Sequence, residues 1–108
     1  MTTTAEILRE ARAKIDSPEK WTKHYEARDA DGNETWYGDD RAVCWCAFGA
    51  LFKAGWYQPS LSDAVEALET VVGRIIDEWN DAPERTNAEV LAAFDRAIDL
   101  AGQAEKGG

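Results

Sequence analysis

The chain has 108 residues, 44% of them hydrophobic and five of them tryptophan, which is the composition of one globular domain rather than two or a disordered segment. Its formal net charge is −9, from 21 acidic against 12 basic side chains, and no basic patch interrupts it, so direct binding to DNA or RNA is disfavoured. No stretch approaches the roughly 20 apolar residues of a membrane span, and Met1 to Glu6 lacks the basic-then-apolar pattern of a secretory signal.

The first element in chain order is a helix over Thr4 to Ile15. Ile7, Leu8, Ala11 and Ile15 make its apolar stripe, and Thr3 or Thr4 is its N-cap. Ser17-Pro18 ends it, because the residue before proline is pushed out of the α region. Trp21 to Tyr37 reads as a short β-hairpin, with Trp21, Thr22, Tyr25, Thr35, Trp36 and Tyr37 favouring strand. The intervening Arg28 to Glu34 is a turn centred on Asp31-Gly32.

From Ala42 to Phe52 no residue is charged, and a helix drawn through the run has no polar face. The expectation is a buried central helix, capped by Asp39 or Asp40 and ended by Gly55. Gly49 inside it implies close approach of another helix or an aromatic ring. Cys44 and Cys46 lie on that predicted helix, two residues apart and mutually averted, as free, buried thiols of a reducing compartment.

Trp56-Tyr57-Gln58-Pro59 reads as a linker. A third helix starts at Ser60 or Ser62, with Leu61, Ala64, Val65, Leu68, Val71 and Val72 on its apolar face. Gly73 interrupts the pattern, and Ile75, Ile76 and Trp79 extend it by one turn. Asn80 to Arg85 is read as a loop. Thr86 and Glu89 form a capping-box pattern that opens a last helix, with Val90, Leu91, Phe94, Ala97, Ile98 and Ala101 facing the core. The fold class expected is therefore mainly α: a single domain over residues 1–108, of about four helices around a buried central helix, with a short β-hairpin after the first. Residues 1–3 and 103–108 are expected to fray.

No catalytic constellation emerges. His24 is the one histidine, without the partners of a zinc site or an activated nucleophile. Asp29, Asp31 and Asn33 have the alternate spacing of a calcium loop, but glycine falls at the fourth position and Asp40 at the twelfth, where glycine at the sixth and glutamate are needed. No phosphate loop and no nucleophile elbow is present. The expectation is no metal, no cofactor and no enzyme activity. Trp79 to Thr86 is the most distinctive polar run. It reads either as a binding loop presenting Asn80, Asp81 and Arg85, or as a helix connection in which those residues cap and pair.

Two segments carry a resemblance. Arg41-Ala42-Val43-Cys44-Trp45-Cys46-Ala47-Phe48-Gly49-Ala50-Leu51, and Trp79 to Thr86 followed by Glu89-Val90-Leu91, resemble a family of small bacterial and tailed-phage proteins known only as a domain of unknown function. Trp21 and the Ala27 to Gly32 turn share in it, and it spans residues 5 to 101. It implies a cytoplasmic setting in a bacterium or phage-infected host, and transfers no catalytic residue.

The functional expectation is a small acidic module that binds a protein with a basic surface, in the form of a phage accessory protein that inhibits or modulates a host machine, of the anti-defence or anti-CRISPR type. Its candidate contacts are Asp29, Asp31, Trp36, Tyr37, Asn80, Asp81, Glu84 and Arg85. The alternative is a small-molecule binder or enzyme with a pocket near Trp79, Asn80 and Asp81. A third reading is a self-associating structural subunit.

Overall fold

Thr3 begins the first helix by a reciprocal cap. Its hydroxyl accepts the Glu6 N–H at 3.1 Å, and the Glu6 carboxylate accepts the Thr3 N–H at 3.0 Å. Helix α1 then runs over Thr4–Lys14 and buries Ala5, Ile7, Leu8 and Ala11, with Ile15 just beyond. The computed structural model describes the backbone of residues 2–107 and the side chains of residues 2–104. Ser17-Pro18 stops α1 and starts a single 3₁₀ turn, Pro18–Lys20.

The hairpin is present but smaller than expected, and it gains a third strand. Strands β1 (Ala27–Asp29) and β2 (Glu34–Thr35) pair antiparallel, Ala27 opposite Thr35 and Arg28 opposite Glu34. The Asp29 carboxylate shapes their turn by accepting the backbone N–H groups of Asp31 and Asn33, both at 2.9 Å. Trp21, Thr22, Tyr25, Trp36 and Tyr37 lie outside the strands; Trp21 makes only an isolated parallel bridge to Trp45.

The expected helix through Ala42 to Phe52 is corrected by the structure. Its first part is strand β3, Ala42–Trp45, which pairs antiparallel with β1 and completes the order β2-β1-β3. Helix α2 begins only at Ala47 and runs to Gly55. The physical reason is that an uncharged run has no period of its own, and β1 offers an open edge. Alternation then appears where a helix buried on all sides was expected: Val43 is 48% exposed, while Cys44 between it and Trp45 is buried. Neither Asp39 nor Asp40 caps α2. Cys46 is the N-cap, its Sγ accepting the Gly49 N–H at 3.3 Å. Asp39 instead folds a tight turn, binding the Arg41 N–H at 2.8 Å and its guanidinium at 2.9 Å. Gly49 is required by neither a helix nor a ring: a Cβ there would fall on the Glu26 carbonyl oxygen.

Helix α3 spans Leu61–Val72 and ends at Gly73. A fifth helix, α4 (Ile76–Asp81), takes in Trp79, Asn80 and Asp81, which were expected to lie at or in a loop. The loop shortens to the turn Ala82 to Arg85, closed by Arg85 N–H to Ala82 O at 2.9 Å. The Thr86–Glu89 capping box forms as expected, with bonds of 2.9 and 3.2 Å, and opens α5, Asn87–Gly107. The described backbone of that helix continues past Gly102, and Thr3 caps the start of α1. Met1 and Gly108, at the ends expected to fray, lie outside the described residues.

The core is shared rather than centred on one helix. α1 packs on α2, α3 and α5, and α2 packs on α1, α3 and α4. Phe94, Ile7, Leu8, Ile15, Leu51, Leu68, Ile76 and Val90 are its largest fully buried apolar side chains among the described residues. At about 25 cal/mol per Å² of apolar surface removed from water, this helical layer stabilises the fold, and the small sheet is carried on it. The sheet and α4 meet the N-terminus of α2, and the candidate site lies there.

Candidate functional site

Asn80 ties these elements together. Its side chain is fully buried and satisfies all four of its hydrogen-bonding positions. Oδ1 accepts the Trp21 Nε1–H at 2.7 Å and the Ala47 N–H, in the first turn of α2, at 3.1 Å. Nδ2 donates to the Thr22 carbonyl at 3.1 Å and to the Asp81 carboxylate at 3.0 Å. Asp81 also accepts the His24 N–H at 2.8 Å, holding His24 in the left-handed region at φ 74°. Asn80 thus joins α4 to the Trp21-Thr22 segment and to the start of α2 from inside, and offers nothing outward.

Beside this knot lies a cavity of about 230 Å³ lined by His24, Tyr25, Glu26, Glu34, Cys46, Phe48, Asp77 and Asp81. Four of those residues are acidic and none is lysine or arginine. Burial, then the like charges of Asp81 and Glu69, hold the Asp77 carboxyl above its ordinary range. Burial pushes the Cys46 thiol up to about 12, so at neutral pH it stays a neutral, poor nucleophile. Among the described residues, no group of three His, Cys, Asp or Glu side chains is arranged to hold a metal ion.

Phe48 connects this cavity to an aromatic surface. It stacks on Phe52, one turn along α2, at 4.2 Å between ring centroids. Phe52 touches Tyr37 at 5.9 Å, and Tyr37 touches Trp36 at 5.4 Å and Trp56 at 5.6 Å. Tyr37 is buried at the centre, and Trp36 and Trp56 are 57% and 46% exposed. A Cβ at Gly38 would overlap the Trp36 ring, so only glycine lets that indole fold back over the chain. Phe52 also lines an apolar groove of about 440 Å³ with Gln58, Pro59, Leu61, Ser62 and Val65.

Tyr57 sits at the edge of this surface in an unusual backbone state. Gly55 to Gln58 is a turn closed by Gln58 N–H to Gly55 O at 2.9 Å. The angles at Trp56 (φ −56°, ψ 130°) and Tyr57 (φ 64°) are those of a type II turn, whose third position favours glycine. Here that position carries a tyrosine with its side chain turned outward, 87% exposed, against Trp56 at 4.9 Å.

The eight candidate contacts do not form one cluster. Trp36 and Tyr37 belong to the aromatic surface, and Asp81 lines the acidic cavity. Asn80 is buried, and the Arg85 guanidinium lies over the Trp79 ring at 4.2 Å while donating to the Trp79 carbonyl at 2.9 Å, so both act within the fold. Asp29 shapes its turn, and Asp31 and Glu84 are exposed but do not line the cavity. The pocket expected near Trp79, Asn80 and Asp81 is split: Trp79 and Arg85 line a groove between α3 and α5, away from the acidic cavity. Phe48, Phe52, Trp56, Tyr57, His24 and Asp77 were missed. The available signal was Trp56-Tyr57 followed by Pro59, two large aromatics where a linker needs none.

The family of unknown function DUF6197 matches residues 1–100 of this chain. The chain belongs to that family. The match takes in all three strands, the first four helices and most of α5 of this DUF6197 protein, so it includes both the acidic cavity and the aromatic surface. No curated protein and no solved structure matches the chain. Among the described residues, no helix is long and apolar enough to cross a membrane.

Proposed function

We propose that this protein is a non-enzymatic binding module whose partner is another protein, held on the surface of Trp36, Trp56 and Tyr57. The observation that carries the reading is Tyr57, a large exposed ring kept at a glycine position of a turn. A non-glycine residue there costs about 1–2 kcal/mol, and water-exposed tyrosine gives the fold little in return. Strain of this kind is held where an interaction needs the side chain. Tryptophan and tyrosine are also the residues that carry most binding energy in interfaces.

The charge of −9 favours a partner with a basic face and association that slows as salt rises. The finer form, a phage or prophage accessory protein that modulates a host machine, is supported by that acidity and by the resemblance of the two sequence segments. A small-molecule site at Asn80 is less well supported, because no hydrogen-bonding group of Asn80 is left over.

The test uses wild type and a Trp56→Ser/Tyr57→Gly variant as baits in extract of the native host. A protein retained by wild type alone is purified and its affinity for both is measured by calorimetry. The expected result is binding at least tenfold weaker for the variant, at an unchanged melting temperature. Equal affinity overturns the proposal.

A further inference from the structure

We propose that the acidic cavity and the aromatic surface are two halves of one docking site, and that its occupant is a segment of the partner protein in which a lysine or arginine lies close to an apolar side chain. The inference rests on the protein-binding reading above and adds the chemistry of what is bound. Its first support is continuity. Phe48 is at once a wall of the cavity and the stacking partner of Phe52, and Phe52 is at once a wall of the apolar groove and a neighbour of Tyr37. A chain crossing Phe48 passes from one half to the other without leaving the surface.

Its second support is charge complementarity. Glu26, Glu34, Asp77 and Asp81 line the cavity, and among the described residues no ion pair reaches Glu26, Glu34 or Asp77. The exposed His24 has Nδ1 3.9 Å from the Asp81 carboxylate, and the Arg28 guanidinium lies over the ring of Tyr25, a wall of the cavity, at 4.5 Å, without an ion pair to any of the four carboxylates among the described residues. The like-charge pressure on Asp77 is relieved by an arriving cation, which makes entry of a base favourable and of an acid costly. A bare metal ion is the poorer occupant, since no three carboxylates are arranged around a common point among the described residues. An ammonium or guanidinium on a long apolar stem suits a cavity with carboxylates at its walls and Phe48 at its rim.

The geometry also sets the spacing. An extended chain advances about 3.3–3.6 Å per residue, and the cavity and the Phe48–Phe52 stack share a wall. The basic and apolar side chains are therefore expected two to four residues apart in the bound segment.

The test is selection of a displayed library of random twelve-residue peptides on the immobilised full-length protein. The expected outcome is enrichment of peptides with Lys or Arg two to four residues from Leu, Phe or Trp. An enriched peptide then binds Glu34→Gln/Asp77→Asn at least tenfold more weakly. Replacing its basic residue by norleucine costs the same factor in wild type and little more in that variant. Peptides that lack a basic residue, or that bind the charge variant as well as wild type while still losing affinity for Trp56→Ser/Tyr57→Gly, overturn this inference and leave the binding reading standing. Peptides indifferent to the aromatic variant, or no enrichment at all, overturn both.

Discussion

Removing the Asn80 amide tests how the site is built. In Asn80→Ala, three groups lose their partner: the Trp21 Nε1–H at 2.7 Å, the Ala47 N–H at 3.1 Å and the Thr22 carbonyl at 3.1 Å. An unsatisfied buried group costs about 1–3 kcal/mol. The Ala47 N–H bond is wholly buried, while the other two are only partly so and can recruit water. Counting the first in full and the others at half gives a loss of about 2–6 kcal/mol, a large share of the roughly 5–15 kcal/mol that holds a domain together. The melting temperature then falls by about 8 °C or more.

Asn80→Asp sharpens the test. It keeps the Oδ1 acceptor but sets a second oxygen against the Thr22 carbonyl and the Asp81 carboxylate, where the amide donated. That variant is destabilised at pH 7 and recovers part of the loss in acid, once its carboxyl is protonated and can donate. The assay is urea unfolding followed by tryptophan fluorescence at pH 7 and pH 4, with calorimetry for the midpoint. A loss below about 1 kcal/mol in Asn80→Ala refutes the structural role and returns Asn80 to the surface contacts suggested by the sequence.

Three further outcomes follow from the same geometry. Asp77 is held above its ordinary pKa by burial and by Asp81 and Glu69, so its contribution to stability is full below the unfolded value near 3.8 and is lost as pH rises through the folded value. Asp77→Asn therefore melts higher than wild type at pH 7 and level with it below pH 3.8; a lower melting point at pH 7 contradicts the electrostatics. Cys44 and Cys46, 9% and 5% exposed, react with a thiol dye only after denaturant is added, and rapid labelling of the native protein would reopen a nucleophilic role. Tyr57→Gly leaves stability unchanged or raises it by up to about 1 kcal/mol, while weakening partner binding; a clear loss of stability would show that the ring serves the fold.

Local signals were legible in the chain and contacts between distant segments were not. The Thr3 N-cap, the Thr86–Glu89 capping box and the turn around Asp31-Gly32 each depend on residues within four positions of one another, and the α1 stripe repeats at four-residue steps. Strand β3 depends on the open edge of β1, and the uncharged run from Ala42 has no period to reveal it. Asn80 is the sharpest case. A polar run ending in Pro83 reads as a loop displaying hydrogen-bonding groups, yet three of its four partners lie 33 to 59 positions away in the chain. The aromatic surplus was visible in the composition, but which rings it left outside was not. Tyr57 is exposed because of a turn type that asks for glycine, and the sequence there shows no glycine. The charge reading also narrows. Asp29 and Asp81 hold backbone N–H groups in place, so Asp31 and Glu84, which carry no such bond through their side chains among the described residues, are the carboxylates to exchange when steering is measured.

The central claim is that a protein partner docks on the aromatic surface, and a photo-crosslinking side chain in place of Tyr57 tests it most directly. Arg9, exposed on α1, serves as the control position in the same cells of the native host. The account predicts one discrete cross-linked partner from position 57, lost when Trp36 and Trp56 are both changed to serine, and none from position 9. Cross-links from position 9 with none from position 57, or products from position 57 that survive loss of both indoles, would contradict it.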